Sequence, residues 1–365
     1  MTGQNTKNES ELLLGLDVGG TKIDALLVDQ DLRVVSQAHV GMNANTPEHT
    51  LSSITAAVEA ALAGAPASKT KHIRAVGLGV PGQVQQGVVR LAVNLGLTDY
   101  PLAEALQDRL GTPVWLENDV RTAALGAFQY VSLNGPVTSI AYLSIGTGIA
   151  AGIILDGKLH IGANNMAGEI GHIVIDPAGP RCSCGTIGCL EAVASGPAIA
   201  QQGVLASQDG QTLLAQYQPI TAEAVYQAAL AGDSAAQLIV ERTSAYLGRA
   251  VHGLVMAYDV DKIVIGGGVS HAGELFITPI KAYLARLRSE SDLVRRMLPE
   301  DKIVLLPHVY SAGAWGAVML AYATAFGLAG NQLDWKIVRE HFMPDWIGSH
   351  NMKEVMPPEN RPNTL

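Results

Sequence analysis

Short apolar runs, broken by glycine and by polar turns, dominate the first part of the chain. Residues 11–18, ELLLGLDV, read as a strand that meets Gly19-Gly20-Thr21-Lys22 and passes into a second strand, IDALLVD. A polar turn at Asp29–Asp31 then predicts a third strand near Leu32–His39. Residues 48–64 carry apolar positions at helical spacing, with Thr46-Pro47 opening the helix. IRAVGLGV (73–80) is a strand stopped by Pro81-Gly82. A helix near 101–110 leads to the strand PVWLEN and a helix from about Val120.

The pattern then restarts. SIAYLSIGTGIAAGIIL (139–155) again gives strand, Gly-Thr-Gly turn and strand. Two glycine hairpins, each opening a mixed strand-and-helix unit, predict a duplicated α/β fold with a nucleotide in the cleft between its halves. Residues 196–260 are mostly helical, strand Lys262–Ile265 runs into Gly266-Gly267-Gly268, and strand Ile303–Leu306 precedes an Ala-rich helix near 312–328. The reading places a small N-terminal domain at 1–120, joined by that last helix, and a larger domain at 121–311. The extension 331–365, with Trp335, Phe342 and Trp346, is expected to pack on the chain itself or on a partner subunit. Residues 311–330 carry no charge and are long enough to span a bilayer, but Ala and Gly dominate, which favours a buried helix.

With 365 residues the chain is long enough for two cores, and 48% hydrophobic against 16% charged residues marks it as globular. The net charge of −9 comes without any dense basic run, which argues against nucleic-acid and anionic-membrane partners, since both need a basic patch. An anionic ligand must therefore be held by backbone N–H groups, a few placed cations and a metal. The start, MTGQNTKNESELLLG, lacks the charged-then-apolar pattern of a secretory signal, and with three cysteines a reducing cytoplasm is expected.

Asp17-x-Gly19-Gly20-Thr21-Lys22 is not a Walker A loop, because a strand rather than a helix follows it. Its glycines allow close backbone approach, Thr21 and Lys22 can donate to phosphate, and Asp17 can hold Mg²⁺ or its waters. An ordinary hairpin turn would look the same. Gly146-Thr147-Gly148 supplies a second phosphate turn, Gly266-Gly267-Gly268 leaves room for an adenine ring or ribose, and Gly313 is expected to close its other side. The Rossmann pattern fails, so ATP is preferred over a dinucleotide.

His172, Cys182, Cys184 and Cys189 fall within eighteen residues and include every cysteine. Three thiolates and an imidazole complete a zinc tetrahedron with no open position, which makes the site structural. Buried free cysteines are the alternative, but Cys182-Ser183-Cys184-Gly185 lies in a Gly- and Pro-rich loop where packing gains little.

Strand Val114–Leu116 delivers Glu117-Asn118-Asp119 to a strand–helix junction. Asp119 is the candidate base for a substrate hydroxyl, with Asn118 bonding a neighbouring hydroxyl. Either residue can instead cap the helix. Glu169 and Glu191 flank the zinc loop, and carboxylates with an imidazole suit a polyol. His172 can hold zinc through one ring nitrogen and a sugar hydroxyl through the other; Gly82 and Asn94 lie on loops that can reach the same pocket.

These pieces together resemble the ROK family, which groups sugar kinases with sugar-responsive repressors. The resemblance runs from about residue 12 to about 328 through LGLDVGGTK, GVPGQV, ENDVRTAALGA, GTGIAAGII, AGEIGH, CSCGTIGCLEA and IVIGGG. It implies an actin-like (ribonuclease H-like) ATPase fold in two domains, ATP with Mg²⁺, and transfer to a hexose hydroxyl, usually the 6-OH. It gives Asp119 the base role, sugar contacts to Asn118, Glu169, His172 and Glu191, and zinc to His172 and the three cysteines. Related kinases are often dimers, so a homo-oligomer, dimer or tetramer, is expected. GCLEAVASGPAIA is most similar to the family's glucokinases, while N-acetylmannosamine, N-acetylglucosamine and fructose stay open as substrates. A sugar-sensing regulator is the rival within the family; the dozen polar residues before the first strand are too few for a DNA-reading helix pair. Arg121 departs from the family's usual Asn-Asp-Ala-Asn and is expected to put a cation beside Asp119. Ala150 and Ala151 replace frequent glycines.

Overall fold

The first apolar run forms β1 (Leu12–Val18), six of whose seven residues are buried. The computed structural model describes residues 11–44, 46–67, 72–133, 135–208 and 210–328. β1 pairs antiparallel with β2 (Lys22–Asp29), and β2 with β3 (Val34–Gly41), through the predicted turns. α1 (Pro47–Gly64) starts at Thr46, whose hydroxyl accepts the His49 N–H at 3.2 Å, with Pro47 in the first turn. β4 (Ile73–Val80) returns parallel to β1. A small antiparallel sheet follows: β5 (Gln83–Gln85), β6 (Val88–Ala92) and β7 (Leu97–Tyr100). The sequence reading missed it, because its strands of three to five residues are too short to show alternation. α2 (Leu102–Leu110), β8 (Val114–Asn118) and α3 (Asp119–Ser132) come next, and β8 lies parallel to β4. The main sheet has the order β3-β2-β1-β4-β8.

The second half repeats this plan. β9 (Ile140–Ile145) and β10 (Ile149–Leu155) form the second hairpin, followed by the short strand β11 (Lys158–Leu159). Helices α4 (Leu190–Ala194), α5 (Gly196–Ser207), α6 (Ala222–Leu230) and α7 (Ser234–Tyr258) precede β12 (Lys262–Gly266). Then come α8 (Glu274–Glu290), α9 (Asp292–Met297) and β13 (Ile303–Leu305). β12 is parallel to both β9 and β13, so the order β10-β9-β12-β13 reproduces β2-β1-β4-β8 strand for strand. The duplication inferred from two glycine hairpins is a duplication of topology.

Two compact units result. Among the described residues, the first holds 11–136, 156–165 and 309–328, and the second holds 137–155 and 166–308. α3 therefore falls in the first unit, where a boundary after residue 120 would have placed it in the second. Each unit has its own core. Leu14, Leu16, Ile54, Leu78 and Leu106 centre the first; Leu143, Ile153, Val251, Ile265 and Phe276 centre the second.

The last helix, α10 (Ala312–Ala325), completes the first unit, and every residue from Ala312 to Ala323 is buried. It lies directly on β1 and β4, where a β-carbon at Gly15 or Gly77 would come within 2.4 Å of Ala314 O or 2.0 Å of Ala317 O. Its lack of charge is thus a packing requirement, as the buried-helix reading held. No helix among the described residues is long and apolar enough to cross a membrane. The reading of Trp335, Phe342 and Trp346 lies outside the described residues.

Candidate active site

The first unit gathers carboxylates at the hairpin end of its sheet. Asp17 on β1 stands across from Asp24 on β2, and Asp24 across from His39 on β3. Lys22 Nζ lies 2.8 Å from one Asp24 oxygen and His39 Nδ1 lies 2.6 Å from the other. Burial alone would raise the Asp24 carboxyl; the bonds from Lys22 and His39 outweigh it and leave the group below its ordinary range. Asp17 experiences the opposite balance. Burial, then the charges of Asp119 and Asp24, push its carboxyl up to about 7 against a weaker pull from Lys22. Gly313, in the first turn of α10, sits so close that a β-carbon there would lie 2.1 Å from Asp17 Oδ2. Only glycine lets the start of α10 meet that carboxylate. The sequence reading grouped Gly313 with Gly266–Gly268 around a nucleoside; the contact with Asp17 is a further property of the same residue.

β8 ends in the N-cap of α3. Asn118 Oδ1 accepts the N–H groups of Val120 and Arg121 at 3.0 and 3.1 Å. Its amide donates to Gly82 O and to Asp119 Oδ1, both at 3.0 Å. The capping role left open by the sequence is therefore the role Asn118 fills here. Asp119 Oδ1 also accepts the Val120 N–H at 2.9 Å, so two donors fix how its carboxylate points. Gly20 of the first hairpin packs on Asn94, a β-carbon there lying 3.3 Å from Asn94 Cβ. Gly19 closes the turn by donating to Lys22 O at 2.9 Å, and Thr21 and Lys22 are exposed at its tip. Arg121, expected to put its cation beside Asp119, bonds Glu117 through its guanidinium.

The second unit gathers the thiols. The ligand atoms of His172, Cys182, Cys184 and Cys189 lie within 4.8 Å of one another. Cys182 Sγ is 3.6 Å from His172 Nδ1, and Cys184 Sγ is 3.6 Å from Cys189 Sγ. Those spacings are the edges of a zinc tetrahedron, and no disulfide forms among the thiols. The Thr186 N–H draws the Cys184 thiol down to about 6, whereas burial and the neighbouring sulfurs push Cys189 up to about 12. Three thiols so close cannot all ionise without a cation, so the donor set fits zinc. With Nδ1 on the sulfur side, His172 turns Nε2 toward Glu169, 4.0 Å from its Oε2. A tight knuckle holds the loop: Gly185 N–H to Cys182 O at 2.9 Å and Cys182 N–H to Thr186 O at 2.8 Å.

Glu191, in the first turn of α4, ties this loop to the second hairpin, because its Oε2 accepts the Ile149 N–H at 2.9 Å. A β-carbon at Gly148 would fall 2.5 Å from the same oxygen, so the hairpin needs glycine there. Thr147 stands exposed at the hairpin tip. Gly146 receives the Gly196 N–H on its carbonyl at 2.8 Å and lies near Gly268 N, 3.7 Å from where a β-carbon would sit. Gly267 adopts φ +90° against the Ile145 backbone. Gly266 belongs to β12 and packs on the Tyr142 hydroxyl.

The structure thus assembles Asp17, the first hairpin, Gly82, Asn94, Asn118, Asp119 and Gly313 in the first unit. The second hairpin, Glu169, His172, the cysteines, Glu191 and Gly266–Gly268 assemble in the second. Sequence reasoning missed Asp24, His39 and Glu117. The one available signal for Asp24 was a lone acid inside the apolar strand IDALLVD. The pairing of His39 and Glu117 depends on register and on a helical turn, which local sequence does not display.

A model of the ROK family matches residues 13–324. A glucokinase of Halalkalibacterium halodurans is 37% identical over 74% of this chain and 84% of its own length. An N-acetylmannosamine kinase of Shigella boydii is 32% identical over 75% and 88%. Among solved structures, a ROK family glucokinase from Streptomyces griseus in complex with glucose and AMPPNP superposes with a TM-score of 0.71. It is 31% identical and is covered over 85% of this chain and 99% of its own. A ROK family transcriptional regulator, a homologue of the E. coli MLC protein, gives a TM-score of 0.76 at 28% identity, over 88% and 81%. The two-unit architecture is the actin-like ATPase fold of these kinases.

Proposed function

The chain belongs to the ROK family, and we propose that it transfers the γ-phosphoryl group of ATP to a hexose hydroxyl, the 6-OH of glucose first among candidates. The observation that carries this reading is the fixed carboxylate of Asp119. It sits at the start of α3, electrostatically coupled to Asp17, in the unit that also holds the first phosphate turn. Similarity to kinases that act on glucose, one of them solved with AMPPNP, supports the donor and the acceptor class.

In this mechanism the backbone of Gly19–Lys22 and of Gly146–Gly148 receives the phosphates, with Thr21 and Thr147 as added donors. Asn118 is occupied by the α3 cap and by Gly82, so it acts chiefly by holding Asp119 and the Gly82 loop in place. Asn94, Glu169, the outward Nε2 of His172 and Glu191 bind and orient the sugar. Asp119 takes the proton of the attacking hydroxyl as its oxygen bonds to the γ-phosphorus. The bond to the bridging oxygen then breaks, leaving ADP, and the proton later passes to solvent. Asp17, whose carboxyl burial and then the neighbouring carboxylates push up to about 7, fits a role in holding Mg²⁺ or its waters, and bound Mg²⁺ would neutralise phosphate charge. Zinc held by His172, Cys182, Cys184 and Cys189 would shape the loop and set the His172 tautomer. A cytoplasmic homo-oligomer belongs to the same reading, and light scattering on the purified chain tests the assembly.

The experiment is ADP release from Mg-ATP across glucose, mannose, fructose, N-acetylmannosamine and N-acetylglucosamine. Turnover at least about a hundredfold faster with one sugar identifies the substrate. N-acetylmannosamine as the winner replaces glucose but keeps the reaction. Sugar binding without ADP release on any of them overturns the kinase reading in favour of a sugar-responsive regulator, the second reading that the MLC-like structure favours.

A further inference from the structure

Arg121 is the one arginine in the buried set among the described residues, at 4% exposure. A buried guanidinium needs its donors paired, since an uncompensated buried charge is strongly destabilising. Its Nε and Nη2 lie 2.8 and 2.6 Å from Glu117 Oε1, and Nη1 donates to Asn165 O at 2.8 Å. Glu117 Oε1 also accepts the Asn118 N–H at 2.6 Å. One guanidinium therefore braces, through Glu117, the backbone of the residue that caps α3 and orients Asp119. In the same plane it grips the carbonyl of Asn165.

Asn165 ends the segment 156–165 with positive φ, and the carbonyl before it, Asn164 O, is held by Gln83 Nε2 at 3.3 Å. Two successive carbonyls are thus pinned where the chain departs toward Glu169, four residues on, and His172, seven residues on. Glu117 and Asn165 form part of the wall of a cavity of about 920 Å³, with Trp115 and His160. The segment is held from this wall by Arg121.

We infer that Arg121 is a positioning residue for sugar selection. It acts on the sugar through the groups it fixes, the Asn118–Asp119 junction by way of Glu117 and the carbonyl of Asn165 at the end of segment 156–165. A buried ion pair of this kind adds little net stability compared with an apolar substitute, so its value lies in geometry. The inference rests on the sugar-kinase reading.

The test compares the parent with Arg121→Ala, Arg121→Lys and Glu117→Gln. Arg121→Ala is expected to raise the KM for sugar about tenfold or more, to narrow the ratio between preferred and poor sugars, and to leave the KM for ATP within about twofold. Arg121→Lys keeps the charge but cannot serve Glu117 and Asn165 at once, so it should recover only part of the loss. Should Arg121→Ala fail to fold, Glu117→Gln, which keeps shape and an acceptor for Asn118, is expected to shift the sugar KM in the same direction. A sugar KM within twofold of the parent in both Arg121→Lys and Glu117→Gln overturns the inference. So does an equal loss in turnover and in both KM values that follows a fall in melting temperature. A parent inactive on every sugar overturns the kinase reading alone; calorimetric binding of the sugar to parent and Glu117→Gln then decides the role of the pair by whether affinity falls.

Discussion

The two units fold on one topological plan but organise their functional groups by opposite means. In the first, regular structure does the positioning. Asp17 rides a central strand, Asp24 faces it by register and His39 faces Asp24, and Asn118 and Asp119 are fixed by a helix cap. In the second, Glu169 and His172, the groups proposed to meet the sugar, lie in a loop with one short turn of 3-10 helix, and four metal-type ligands gather it. A carboxylate cluster on strands can keep its geometry with mutual repulsion in place. A loop of eighteen residues tied by thiols depends on the ion that ties it. The first cluster is therefore expected to respond to mutation chemically, and the second structurally.

The largest effect should come from Asp119→Asn. It keeps the bonds to Asn118 and Val120 nearly intact, so turnover should fall about 10²–10⁴-fold while melting temperature, zinc content and sugar affinity stay close to the parent's. Turnover within tenfold of the parent removes Asp119 as the base. Next in size is Cys184→Ser, or chelation of the parent. Zinc content, measured by atomic absorption, should drop from about one per chain to near zero, and sugar affinity should fall with the loop. Zinc that stays stoichiometric breaks the ligand assignment, and sugar affinity that survives metal loss removes the structural dependence claimed for the second unit.

Gly313→Ala sharpens the first side of the comparison. The added methyl would press on the Asp17 carboxylate, at an expected cost of about 1–3 kcal/mol in stability and with weakened dependence on Mg-ATP. An unchanged Mg-ATP dependence would detach Asp17 from the metal. The smallest effect concerns pH. Folded Asp17 keeps its proton to about 7, whereas in an unfolded chain it would lose it near 4, so the folded state binds the extra proton between those values. Metal-free protein should lose stability as pH rises from about 4 to 7, and Mg²⁺ should reduce that loss. A melting temperature that rises over this interval contradicts the assignment.

Much of this was readable from the chain. The hairpin glycines, the Thr46-Pro47 start of α1, the charge-free α10 and the four metal-type ligands are local signals, and each announces its own physics over a few residues. What was not readable depends on neighbours distant in sequence. The contact of Gly313 with Asp17 needs α10 to fold back nearly three hundred residues to β1, so no local pattern announces it. That the Arg121 guanidinium serves both Glu117 and Asn165 depends on a helical turn and on a carbonyl 44 residues away, which local sequence does not display. The sheet β5-β6-β7 was invisible because its strands are shorter than any periodicity can register.

The position of α10 in the chain also orders events at the ribosome. The sheet β3-β2-β1-β4-β8 is complete once residue 118 has been made, but the face bearing Gly15 and Gly77 lacks its cover until about residue 325 has emerged. Most of the second unit, 166–308, is synthesised in that interval. The unit begun first is thus the unit finished last, and a nascent chain carries one incompletely covered sheet face through most of its translation. Slow elongation between those points lengthens the time for which that face waits for α10.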